Sequence, residues 1–210
     1  MTSPASSPAQ RPFTRKGQAT RDRIVEAAAE LIARHGVAGT STEQVRRLAG
    51  VSGSQLYHYF DSKQALIRAV ITRQADAATG PGGVPQVGPL DSMDALEAWA
   101  EAAVARQREN DGRGECDLGT LAGELSATDE QSRSEISHGF LRWKQVLRDG
   151  LAAMQHRGEL RADADIDALS YALLAALQGG ALLSQTLRDT AAMQAALRAV
   201  LDHVRSFTTT

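Results

Sequence analysis

The sequence predicts an all-α protein of about nine helices, with a small N-terminal head carrying a helix-turn-helix and a larger C-terminal helical body. Three observations predict it. Apolar residues recur at helical spacing through the first helix and again from Leu90 to the end of the chain. The stretch Thr40–Leu66 reads as two short helices around a tight turn, with a third helix starting just after it. Charge is divided: residues 1–70 hold ten Lys/Arg against five Asp/Glu, residues 71–210 thirteen against twenty. A basic head on an acidic body fits a polyanion-binding head on a body with another task, and scattered surface charge is the competing reading.

Residues 1–17 are Ser/Pro-rich and then basic at Arg11, Arg15 and Lys16, and read as a disordered basic tail that lies against DNA or merely solubilises the chain. Helix one is expected over 18–35, with Ile24, Ala27, Ala28, Leu31 and Ile32 as its buried stripe and Gly36 as its stop; Thr20, followed by Arg23, makes a poor capping box. Helix two, 42–49, buries Val45, Leu48 and Ala49, and Gly50 takes the turn, where a residue free to adopt positive φ is favoured. Val51 plugs that turn, Ser52 caps the next helix, and Leu56 and Phe60 face the core from it. The head, 18–62, closes there. The body, 63–210, opens with helix four, capped by Ser62 and running through Leu66, Ile67, Val70 and Ile71 toward Ala78.

The run Gly80–Pro89 breaks the chain. Asp91 or Ser92 caps helix five, which carries Met93, Leu96, Trp99, Ala100 and Val104 and ends near Asn110. After a DGRG turn come helix six (118–125) and helix seven (129–157), the latter with Ile136, Phe140, Trp143, Val146, Leu147, Leu151 and Met154 on one face. Helix eight, 165–187, is apolar almost all round, so it must be covered on several sides; its Gly179-Gly180-Ala181 centre admits another helix closely. Helix nine, 191–205, carries Met193, Leu197, Val200, Leu201 and Val204. Helices eight and nine are expected to pair with their symmetry mates in a homodimer, burial within one subunit being the alternative.

Composition excludes several classes. The chain is 42% hydrophobic and 23% charged, and no apolar run is read as approaching the ~20 residues of a membrane span, so no membrane partner is expected. The first dozen residues lack the apolar core of a secretory signal, and a single cysteine suits a reducing cytoplasm. Neither a cluster of His, Asp and Glu nor a nucleophile or phosphate loop is apparent, so no enzyme activity, cofactor or metal is expected.

The run AGVSGSQLYHYFDSKQAL, Ala49–Leu66, resembles the DNA-binding signature of the TetR family of bacterial transcriptional regulators in its Ala-Gly-Val-Ser turn, its Leu-Tyr-x-x-Phe helix and its x-Ser-Lys-x-x-Leu opening of the next helix. The resemblance extends upstream through RDRIVEAAAELIARHGVAGTS, covers about the first third of the chain, and continues only in layout beyond it. It implies a homodimeric regulator on a palindromic double-stranded DNA operator. Arg46 departs from the pattern: a small residue usually packs there beneath the recognition helix, and an Arg must turn its head toward solvent or DNA.

Recognition-helix residues nearest the turn are expected to meet base edges, which singles out Ser54 and Gln55, with Gly53 bringing backbone close to DNA. Tyr57, His58, Lys63, Ser41 and Thr42 resemble the phosphate-contacting positions of the family; each read singly is an ordinary surface residue. In the body, Trp99, Phe140, Trp143, Met154, Tyr171 and Gln178 are candidate linings of a small-molecule effector site suited to a hydrophobic or aromatic compound, against plain core packing for each. Cys116 offers a second function, a redox or electrophile sensor, although Glu115 and Asp117 beside it oppose thiolate formation. The leading expectation is a repressor released by its effector; an activator is the other sign.

Overall fold

The computed structural model describes residues 13–80, 88–109 and 118–209. Among them the chain is all helix: α1 (Arg15–Gly39), α2 (Thr42–Ala49), α3 (Gly53–Tyr59), α4 (Lys63–Thr79), α5 (Met93–Glu109), α6 (Leu118–Leu125), α7 (Glu130–His156), α8 (Ile166–Leu187) and α9 (Ala191–Arg205). One isolated antiparallel bridge, Leu160 to Thr208, ties the chain end to the α7–α8 connection. The DGRG turn, Cys116 and most of the Gly80–Pro89 run lie outside the described residues.

Most of the helices start where a short polar side chain accepts an orphan backbone N–H. Ser41, Ser52 and Ser62 cap α2, α3 and α4, while Asp129 and Asp165 cap α7 and α8. Ser92, not Asp91, accepts at the start of α5, from the Ala95 amide at 3.1 Å. α1 begins earlier than the sequence suggested: Thr14 accepts from the Gly17 amide at 3.2 Å, and Arg15–Gly17 are helical instead of tail. Thr20 is an interior residue whose hydroxyl bonds back to the Lys16 carbonyl.

The residues bury in two clusters. The first gathers Ile24, Ala28 and Ile32 of α1, Val45 and Ala49 of α2, Leu56 and Phe60 around α3, and Leu66, Val70 and Ile71 of α4. It also takes in Leu118, Leu121 and Leu125 of α6 and Ile136 of α7, so its packing runs from the head into the body without a break. The second joins α5, α7, α8 and α9 around Trp99, Leu96, Leu147, Leu151, Met154, Leu173 and Leu197. Phe140 touches both.

Two apolar faces are exposed within the chain. Leu48 is 48% exposed: Val45 and Ala49 are the buried residues of α2, and the 100° step carries Leu48 away from Ala49 toward the solvent side. α8 does have an uncovered face: Leu173, Leu174 and Leu177 are buried, whereas Tyr171, Leu182, Leu183 and Leu187 stand out at 48, 64, 48 and 63% exposure. α8 is also long and apolar enough, by length and composition, to cross a membrane, which the expectation of no such run missed. Gly180 receives α9: a Cβ there would lie 2.7 Å from the Met193 Cα, so the close approach is made within one chain, and Gly179 faces open space.

Candidate nucleic-acid interface

The recognition unit is built from two reciprocal caps and one glycine. In α2 the Ser41 amide donates to Gln44 Oε1 at 2.8 Å while the Gln44 amide donates to Ser41 Oγ at 3.2 Å. In α3 the Ser52 amide donates to Gln55 Oε1 at 2.9 Å and the Gln55 amide donates to Ser52 Oγ at 3.1 Å. Ser-x-x-Gln stands at both helix starts, in STEQ and SGSQ, and its place just before each apolar stripe could have flagged both boxes. Gly50 joins the helices at φ 63°, ψ 40°, left-handed backbone that a residue with a Cβ rarely adopts. Val51 and Leu56 are buried at 5 and 2% exposure; sinking a leucine this deeply contributes about 1.5–3 kcal/mol, enough to hold a seven-residue helix that is far too short to persist alone.

Arg46 shows how α2 accommodates a long side chain beneath α3. Its guanidinium folds back to Glu43 through bonds of 2.8 and 2.6 Å and reaches the Val51 carbonyl at 3.4 Å, while its Cδ lies 4.0 Å from where a Gly53 Cβ would stand, an ordinary van der Waals contact. The same contact holds the Glu43 carboxyl below its usual range. The head therefore turns to its own helix, neither free in solvent nor aimed away from α3.

Ser54, Gln55, Tyr57 and His58 are all exposed on the outer face of α3, Tyr57 at 61%. Ser54 Oγ is 3.0 Å from Ser52 Oγ, and Gln55 is oriented by its cap, its amide nitrogen left available for a partner. His58 stacks edge-on against Tyr59 (centroids 5.1 Å), and Phe13 packs on both rings, fastening the start of α1 to the end of α3. Thr42 is half-buried beside the Ser41 cap, and Gly53 opens α3.

Lys63 is placed differently from an outward phosphate contact. Its ammonium donates to the Val37 carbonyl at 2.7 Å, across the end of α1. That end is broken at Gly36 (φ 71°), which orphans the Val37 amide; Glu124 of α6 supplies the acceptor, Oε2 at 2.7 Å. One peptide segment is thus gripped by the first residue of α4 on one side and by the body on the other. Sequence reading had no signal for this pairing, since the partners are 87 positions apart. Glu124→Ala is expected to leave a buried N–H without a partner, costing about 1–3 kcal/mol, and to raise Val37 amide hydrogen exchange, with Glu124→Gln in between. Unchanged Val37 protection in Glu124→Ala would show that the contact is not formed in solution.

The six body residues are not gathered around one space. Trp99 and Met154 are 1% exposed in the second cluster, Phe140 and Trp143 are half-buried on α7, and Gln178 is half-buried on α8. Trp143 Nε1 is buried with no hydrogen-bond partner among the described residues. Tyr171 lies on the uncovered face of α8, its ring under the Lys144 ammonium at 4.2 Å, so it lines no interior site; the apolar period of α8 could not say which of its faces turned inward. A groove of about 530 Å³ lies elsewhere, between α5 and α9. Among the described residues no group of His, Cys, Asp and Glu is arranged to hold a metal.

Comparison with known proteins bears on this arrangement. Residues 24–70 match the family described as bacterial regulatory proteins, tetR family, and residues 92–200, just over half of the chain, match the tetracyclin repressor-like C-terminal domain. An uncharacterised HTH-type transcriptional regulator in the lacX 3' region of Lactococcus lactis subsp. lactis is 27% identical over 175 residues, 81% of this chain and 85% of that protein. The HTH-type transcriptional repressor KstR2 of Rhodococcus jostii (strain RHA1) is 31% identical over 78 residues, 37% of this chain and 38% of that protein. The crystal structure of a TetR-family transcriptional regulator from Cytophaga hutchinsonii superposes with a TM-score of 0.74 at 19% identity, covering 95% of this chain and 100% of that one, a likeness of fold.

Proposed function

The chain belongs to the TetR family of bacterial transcriptional regulators and is a DNA-binding regulator, and from that premise we propose that it works in the cytoplasm as a homodimeric repressor released from a palindromic operator by a small hydrophobic or aromatic effector. The observation that carries this reading is the exposed polar face of α3, Ser54, Gln55, Tyr57 and His58, held rigid by two capping boxes and a left-handed glycine. Gln can pair with adenine through two bonds, whereas the tyrosine hydroxyl and His58 suit phosphate oxygens. Ser41, Thr42 and Gly53 stand at the two helix starts, where backbone N–H groups favour anions. Lys63 serves the interface indirectly, by fixing the end of α1 beside α4.

Dimerisation is supported by the leucines that α8 leaves uncovered, Leu182, Leu183 and Leu187, flanked on α9 by the small exposed Ala195 and Ala199. Two heads on a twofold axis can be spaced for successive major grooves. The effector reading is supported by Trp143, whose buried indole N–H awaits an acceptor, and by Phe140, which packs against both clusters. Trp99 and Met154 belong to the buried cluster against which Trp143 packs. A ligand that prefers one spacing of the heads shifts the population toward it, through α4 and the Glu124–Val37 contact.

Selection of bound sequences from a random duplex pool tests the DNA reading: an enriched inverted repeat is expected, and uniform recovery at moderate salt overturns it. Replacing Leu182 and Leu187 together with Glu is expected to give a folded monomer by sedimentation, with operator affinity lowered at least tenfold. A dimer that survives both charges would place the twofold seam elsewhere.

A further inference from the structure

The groove between α5 and α9 belongs neither to the DNA face nor to the interior of the body. The two helices run antiparallel, since Arg205 pairs with Glu97 at one end and Arg108 bonds Thr190 at the other. Ala100, Val104, Leu197 and Leu201 form its floor. Ala195 and Ala199 are not among its lining residues.

Charge is distributed unevenly along it. At one end the hydroxyl of Thr190, a buried residue, accepts from Arg108 Nε at 3.2 Å and from Gln194 Nε2 at 2.8 Å, setting the two donors side by side. A hydroxyl orients the guanidinium without neutralising it. Arg198, one turn beyond Gln194, has no ion-pair or hydrogen-bond partner among the described residues. Further along α5, Glu101 is likewise unpaired. Beyond it, Glu97 and Asp202 share the single cation Arg205. Seven residues separate Glu101 from Arg108, which places the acidic and basic stations roughly 10 Å apart along the helix.

We propose that this groove binds a short linear peptide of two or three residues with free termini, its carboxylate on Arg108, Gln194 and Arg198 and its ammonium on Glu101. Arg offers a planar fork that matches a carboxylate, and the opposite charge two turns away selects a zwitterion over a simple anion. Capture of a free terminus by oriented donors needs no large apolar contact, which suits a floor already mostly buried. The binding is independent of DNA and of the effector reading above.

Titration calorimetry on the full chain with Ala-Leu-Ala tests it. Saturable binding of one peptide per protomer is expected, weakened tenfold or more when the peptide is N-acetylated or carboxyl-amidated. Glu101→Gln should abolish the preference for the free amine, and Arg198→Gln the preference for the free carboxylate; both residues are exposed, and circular dichroism checks that the variants fold. No saturable binding at millimolar peptide overturns the proposal, as does an affinity indifferent to blocking of either terminus.

Discussion

Replacing Gln55 and Tyr57 together with alanine is expected to weaken operator binding at least a hundredfold while leaving the oligomeric state untouched. A hundredfold loss corresponds to about 2.7 kcal/mol, the scale of one two-bond base contact together with a phosphate contact. Both side chains are exposed and neither enters a buried cluster, so the fold has little to lose. Gln55→Ala does remove half of the α3 capping box, yet the bond from the residue 55 amide to Ser52 Oγ is made by backbone and persists. The stability change should therefore stay near 1 kcal/mol. Band shifts on the selected duplex, with urea unfolding and sedimentation alongside, separate the two effects. If the double variant shifts the duplex as the parent does, α3 is not the reading helix.

Gly150→Ala carries the largest stability effect in the body. A Cβ at Gly150 would lie 1.9 Å from the Leu90 carbonyl oxygen and 2.6 Å from its carbon. Those are backbone atoms that cannot rotate aside, so α7 and the segment leading into α5 must separate. Overpacking of this kind costs about 3 kcal/mol. Gly179→Ala, made in the Leu182→Glu, Leu187→Glu background so that the proposed seam beside it is not engaged, is the control: that position is also helical, but nothing in the chain lies within 4 Å of the added methyl, and replacing a helical glycine should stabilise by about 0.5–1 kcal/mol. The urea midpoint should fall for the first variant and rise for the second. Equal behaviour of the pair would mean that the Leu90 approach does not exist in solution.

Together the two glycines show what local pattern conveys and what it withholds. Both sit inside helices, one pressed against backbone and the other with nothing of its own chain within 4 Å, a difference made by the segment each one faces. α8 repeats the lesson: its apolar residues announce a covered helix, but the choice of Leu173 as interior and Tyr171 as exterior is made by α7 and α9. Spacing alone puts Leu48 on the buried stripe of α2, yet it is half exposed, and only Val45 and Ala49 of that stripe are buried.

What the sequence determined by itself is whatever rests on interactions within a few residues. The bounds of α2 and α3 follow from caps, a glycine and a 3.6-residue period, those of α6 and α9 from the period alone, and the outward set on α3 follows from that period. The turn at Gly50 is equally local, because a left-handed backbone tolerates few residues there. Tertiary structure alone decided the contacts between distant segments: Glu124 on the Val37 amide, Lys63 on the Val37 carbonyl, and the paired donors that Thr190 orients beside the α5–α9 groove. Such contacts join side chains whose separation along the chain carries no periodic signal, and they form only after the helices have chosen which faces to bury.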